Sequence, residues 1–232
     1  MDPCDPIIKL VFQNPTGGTV NLNVHQGVLC KTSEFFRKAI DLKQASLSKD
    51  LTSINLSDED LDTVKKYIKW LYTNEFPIEL YKSNQGMNDE EAKAADGDTA
   101  EKVFIFLAKA YVFGEQFRDT KYKNAVLRNM FKALKTCPWQ PGPESVKIIY
   151  KGTPPNSPLR RLIATDIAYM LCECSTENDS LDFFDAYPRR ALADALKTTI
   201  RTRGLPDDDL PTIESFLHDE SSQDTSMQEP GC

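Results

Sequence analysis

Apolar and polar residues alternate from the start of the chain. Ile7 to Phe12 reads IIKLVF, and Val20, Leu22 and Val24 alternate with Asn21 and Asn23, the period of two that marks strands with one buried face. Between them Gln13, Asn14, Pro15, Thr16, Gly17 and Gly18 form a turn-rich break that predicts a hairpin. His25 ends the second strand. Val28 and Leu29 open an apolar helical turn, and Thr32 or Ser33 is placed to cap a second helix carrying Phe36 and Ile40 and reaching about Leu42. A polar stretch, Lys43 to Asp50, leads to a short strand at Thr52 to Leu56. The spacing then predicts a helix starting at Ser57. Asp58, Glu59 and Asp60 fall in its first turn, where acidic groups complement the helix dipole by about 0.3–1 kcal/mol each. Leu61, Val64, Ile68, Leu71 and Tyr72 recur at three- and four-residue steps, so these positions are expected on its buried stripe.

The pattern breaks at Lys82. Through Ala100 the chain has one Met and no aromatic residue, too little apolar surface to offset its ordering entropy, so a mobile acidic insertion is expected over 82–100. Val103, Phe106, Leu107, Ala110 and Tyr111 then mark a helix, with Gly114 close to where its C-terminal cap would be wanted. A helix over Thr120 to Thr136 is expected to bury Tyr122, Val126, Met130 and Leu134, while Lys121, Arg128, Lys132 and Lys135 share a face read as solvated. Pro138 to Pro143 is a joint. A short helix, Glu144 to Lys151, is stopped by Gly152 and two prolines. Ser157 and Pro158 start another helix with Leu159, Leu162, Ile163, Ile167, Met170 and Leu171 on its apolar side. From Pro188 to Arg203 a further helix places Leu192, Ala195, Leu196 and Ile200 together. The tail from Leu205 is acidic and expected to be disordered. Leu210, Ile213, Phe216 and Leu217 stand out in it at near-helical spacing, as a possible partner motif. The favoured alternative is a weak helix docking on the chain's own domain, or no contact at all.

Composition narrows the chemistry. At 232 residues with net charge −7, the chain can bury a core and lacks the positive charge that non-specific nucleic-acid binding requires. Six cysteines (4, 30, 137, 172, 174 and 232) show no framework spacing, no apolar leader precedes Ile7, and no apolar run reaches the roughly 20 residues a membrane span needs. An intracellular setting, cytoplasm or nucleus, is expected. Catalysis needs a base positioned beside a reacting group. The chain has two histidines: His25, in apolar surroundings that favour a structural role, and His218, in the tail with no expected scaffold. Cys172 and Cys174 are the only close thiol pair, and zinc would require two further ligands that are not evident nearby. No catalytic residue, cofactor site or metal site is therefore expected.

The ordered set Leu22, Val24, His25, Leu29, Ser33, Phe35 and Phe36 resembles the signature of the BTB/POZ family. Trp70, Leu71 and Tyr72, followed by Thr73, resemble its Trp-Leu-Tyr-Thr segment, and the chain's opening, Asp5-Pro6-Ile7-Ile8, is similar to that of many fungal members. The resemblance implies an α+β fold, a small mixed β-sheet flanked by an α-helical cluster, over residues 5–136. An α-helical extension over 137–204 and a disordered acidic tail over 205–232 would follow. It also implies a protein–protein interaction module acting as an adaptor or scaffold, with itself, as a homodimer or hetero-BTB dimer, as first partner, and a second protein held by the extension or tail. Some family members are substrate adaptors of cullin-type ubiquitin ligases and carry a hydrophobic-x-Glu motif. Leu42-Lys43-Gln44 at the matching place lacks the Glu, which disfavours a cullin scaffold. A metal- or thiol-dependent protein built on Cys172 and Cys174 is the contrasting class. No contact with nucleic acid or membrane is expected.

Overall fold

Strand β1 (Ile7–Gln13) turns Ile8, Leu10 and Phe12 into the core and leaves Ile7, Lys9 and Gln13 exposed. The computed structural model describes residues 4–13, 18–45, 53–76, 90–173, 184–203 and 211–220. β1 is the centre of a three-stranded mixed sheet of order β2-β1-β3. β2 (Thr19–His25) pairs antiparallel with it, Ile8 opposite Val24 and Leu10 opposite Leu22, and β3 (Ser53–Asn55) pairs parallel, Leu10 opposite Ile54. The parallel pairing follows from the crossover, which passes through helices α1 (Gln26–Cys30) and α2 (Glu34–Ala45). The expected α+β fold with its mixed sheet is present.

Internal packing divides the chain into two units. The first comprises residues 1–77, 113–122 and 219–232; the second, 78–112 and 123–218. In the first, Ser33 caps α2: its Oγ accepts the Phe36 amide at 3.3 Å and donates to the Phe117 carbonyl at 2.7 Å. Helix α3 (Leu61–Thr73) starts four residues later than Ser57. The reason is local competition. The Ser57 amide donates to Asn55 Oδ1 in a turn, and Asp60 becomes the N-cap, accepting from the Asp62 amide and the Thr63 hydroxyl. The buried stripe of α3 is also rotated: Thr63, Val64, Tyr67 and Trp70 are buried, whereas Leu61, Ile68 and Leu71 are half-buried and Tyr72 is exposed. Aromatic packing sets this rotation, since Tyr67 and Trp70 both lie against Tyr122 at ring separations of 4.8 and 4.9 Å.

Helix α4 (Glu90–Gln116) runs through Gly114 rather than ending there. It closes instead on Arg118, in the left-handed region at φ 50°, with the Asp119 amide donating to the Gly114 carbonyl and the Arg118 amide to Glu115, a Schellman closure without glycine. That turn delivers Asp119, which has no exposed surface. Its Oδ2 accepts from Thr32 Oγ1 at 2.6 Å and Tyr67 Oη at 2.8 Å, and its Oδ1 caps helix α5 (Thr120–Thr136) through the Tyr122 amide at 2.9 Å. Burial first, and the Asp119 charge second, hold the Tyr67 hydroxyl well above its ordinary range.

In the second unit, α4 begins at Glu90, so residues 90–100 are helical where a polar insertion was expected; Ala100 is buried and Gly97 lies against Trp139. The insertion's earlier part, 82–89, lies outside the described residues. On α5 Leu134 is only half-buried, while Leu127 and Ala133 join the core. Helix α6 (Pro143–Gly152) is anchored by Glu101, whose carboxylate accepts the Gly142 and Ser145 amides at 2.6 and 2.9 Å. Helix α7 (Pro158–Glu173) packs on helix α8 (Arg189–Thr202). Ala164 and Ala168 are buried on α7, and Ala191 and Ala195 on α8. Of the apolar side expected of α8, Ala195 is buried and Leu192 half-buried, while Leu196 is 60 % and Ile200 67 % exposed. Ser157 does not cap α7 with its hydroxyl, which goes to Tyr111.

Two outcomes follow. Replacing Glu101 by Ala should lower stability by about 1.5–3 kcal/mol, the usual worth of hydrogen bonds to a charged group, read as a shift in the urea midpoint. The buried tyrosines make the fold sensitive to alkali. The Tyr67 pKa is raised on folding, so its contribution is complete below the unfolded value near 10. Above that the unfolded chain loses a proton the folded chain keeps, and stability declines. Between about pH 9 and about pH 11 the urea midpoint should fall, and fall less in Tyr67→Phe; equal slopes would contradict the assignment.

Candidate functional site

The signature residues divide into those that build the first unit's core and those that reach its surface. Leu29, Phe36, Val24 and Trp70 are buried. Leu22 is half-buried on β2, an edge strand. Phe36 stacks on Phe117 at 5.2 Å, and Phe117 on Phe113 at 4.1 Å. Phe35 stands edge-on to Phe117 and stays 38 % exposed. Together with Ser33, this pair fastens α2 to the segment that carries Asp119.

The surface group centres on His25. The β1 register places Ile7 opposite His25, hence on the same side of the sheet. His25 in turn meets Tyr72 at the end of α3. Its amide donates to Tyr72 Oη at 3.1 Å, its Nδ1 lies 2.7 Å from the same oxygen, and the rings meet edge-on. With the Oη accepting from the amide, the phenol proton is placed to reach Nδ1. Ile7 is 51 % exposed and Tyr72 37 %.

Beside this group is a hollow of about 420 Å³ lined by residues that include Gly27, Val28, Lys31, Leu71 and Tyr72. Asp5 holds its rim by accepting the Gly27 amide at 2.7 Å. A side chain at Gly27 would meet that carboxylate, since a Cβ there would lie 2.8 Å from Asp5 Oδ2. Asn74 ends α3 in the left-handed conformation at φ 54°, its amide donating to the Trp70 carbonyl. Leu71 and Tyr72 are therefore presented at a sharply terminated helix end. Among nearby groups, burial pushes the Cys30 thiol up to about 11 despite Arg37, which keeps it a thiol at neutral pH.

Other sequence candidates separate from this face. Leu42 stands 71 % exposed on α2, with Lys43 bonded to the Ser53 carbonyl. The side chain of Cys172 and the whole of Cys174 lie outside the described residues, as does Leu210. Among the described residues no group of three His, Cys, Asp or Glu could hold a metal, and no helix is long and apolar enough to cross a membrane. The acidic tail yields a correction. Ile213–Phe216 forms a 3₁₀ turn, Phe216 is buried, and Leu217 is half-buried. His218, expected to lack a scaffold, is held by Asn124 and Tyr111. Sequence reading missed Asp119 altogether; its one signal was a capping residue before Thr120.

Comparison with curated proteins returns no match. The family model for the BTB/POZ domain matches residues 4–94, a range that contains the mixed sheet, the His25–Tyr72 pair and the whole set of signature residues. Fold, signature and family model agree over this stretch: residues 4–94 carry a BTB/POZ domain, a protein–protein interaction module.

Proposed function

We propose that the chain is a non-catalytic adaptor that self-associates through the face formed by Ile7, His25, Val28, Leu71 and Tyr72. One observation carries this reading. Exposed Ile7 pairs across the strands with His25, which bonds Tyr72, and Tyr72 lines a hollow together with Val28 and Leu71. Exposed apolar side chains grouped in this way support an association site. In a two-fold contact each copy would present the same residues to the other, so Ile7 and Tyr72 need only one complementary surface, their own. His25 acts as a positioning residue in this face, because its amide and Nδ1 are both engaged by Tyr72.

The packing of Phe113 to Tyr122 with residues 1–77 supports a domain that continues past the matched range, to Tyr122. The extension would then present a second partner. A net charge of −7 supports protein partners over nucleic acid, and we place the work in the cytoplasm or nucleus. A cullin scaffold is a second candidate partner, favoured by the exposure of Leu42 and opposed by Lys43-Gln44, where the motif has its Glu. Failure of a cullin scaffold to retain the chain in a pull-down is the expected result.

Light scattering on the eluting chain at micromolar concentration should give twice the 26.2 kDa chain mass. Ile7→Asp/Val28→Asp should elute as monomer with an unchanged circular dichroism spectrum. A monomeric wild type, or a variant still dimeric, would overturn the proposed face.

A further inference from the structure

In the second unit the segment 211–218 packs on α7. Residues 211–218 dock there through three kinds of contact. Phe216 is 4 % exposed, with the Arg161 guanidinium 5.7 Å from its ring. Arg161 also donates to the Ser215 carbonyl at 3.1 Å. Asn124, itself 2 % exposed, reads the main chain of His218 on both sides: Nδ2 donates to the carbonyl at 2.9 Å, and Oδ1 accepts the amide at 2.8 Å. The His218 ring stacks over Tyr111, with Nε2 2.8 Å from the Tyr111 hydroxyl. Ser157 donates to that hydroxyl oxygen, which leaves the phenol proton directed at Nε2.

Main-chain bonds from a buried amide, joined to two side-chain anchors, are how linear motifs are held: the former supply affinity and the latter specificity. The adjoining cleft, about 470 Å³, adds a charge preference. Arg161, Lys197 and Arg201 line it against a single acid, Asp194.

We propose that this groove is a linear-motif site for an acidic peptide bearing Phe-x-His, that residues 211–218 are its occupant in cis, and that a partner's peptide of the same chemistry displaces them. The proposal is independent of self-association, because none of its residues belongs to the Ile7–Tyr72 face. Tethering gives the tail an effective concentration of roughly millimolar, so the cis contact masks the groove from weak ligands and yields to strong ones.

The test uses full-length chains and a fluorescein-labelled synthetic peptide of residues 207–220, read by polarisation. Phe216→Ala/His218→Ala vacates the groove and should bind the peptide at least about tenfold more tightly than wild type. Adding Asn124→Leu to that variant should abolish binding, and adding Lys197→Glu/Arg201→Glu should weaken it severalfold at low salt. Equal binding by wild type and the vacated variant, or binding indifferent to Asn124→Leu, would overturn the proposal. A measurement on the unaltered chain guards against misfolded variants. With only two histidines, the imidazole NMR signals are simple to follow. Millimolar peptide should move the His218 signals and leave those of His25 in place; unmoved His218 signals would also overturn it.

Discussion

A carboxylate with no exposed surface can persist only where donors replace the water it has lost. Asp119 is such a group, and the first unit is arranged to supply it. Thr32 comes from the turn between α1 and α2, Tyr67 from the middle of α3, and the Tyr122 amide from the start of α5. Three segments distant in sequence are thereby fixed to one side chain. Ser33 adds a fourth tie by donating to the Phe117 carbonyl, and Arg118 accepts a left-handed conformation so that the chain can turn Asp119 inward. Hydrophobic burial around Phe36, Tyr67 and Phe117 supplies most of the driving force, but it is non-directional. The carboxylate specifies which arrangement of α2 and α3 that burial selects.

Much of this was legible in the sequence where the signal is periodic and local. The hairpin register follows from alternation at Ile8, Leu10, Val24 and their neighbours, and α5 was expected at the residues it occupies. The departures have physical causes. Ser57 lost its helix start because Asn55 offered a nearer acceptor. The α3 stripe rotated because aromatic rings with polar handles, Tyr67 and Trp70, outcompeted Ile68 and Leu71 for the interior. On α8 the interior is taken by Ala191 and Ala195, and Leu196 and Ile200 stay exposed. Beyond its capping position, the role of Asp119 was not legible, since its side-chain donors, Tyr67 and Thr32, lie 52 and 87 residues away and nothing in the linear pattern brings them together.

The candidate face shows the same division. The family signature was read as one block, yet it does two jobs in space: Leu29, Ser33, Phe36 and Trp70 build the interior, while His25 and Tyr72 finish at the surface beside Ile7. A single helix end, closed by Asn74, separates the two roles. The second unit differs. Buried Asn124 on α5 and Tyr111 on α4 engage the main chain and the imidazole of His218, groups that a tail read only by its charge would not have been expected to offer.

The account depends on Asp119 acting as a specific acceptor, and a double-mutant cycle tests this directly. Stabilities of wild type, Tyr67→Phe, Asp119→Asn and the double variant, from urea unfolding at neutral pH, isolate the coupling between the two side chains. A coupling of about 1 kcal/mol or more is predicted, as for contacting residues in one hydrogen-bonded network. Additive losses, with coupling near zero, would contradict the claim that this carboxylate orders the fold.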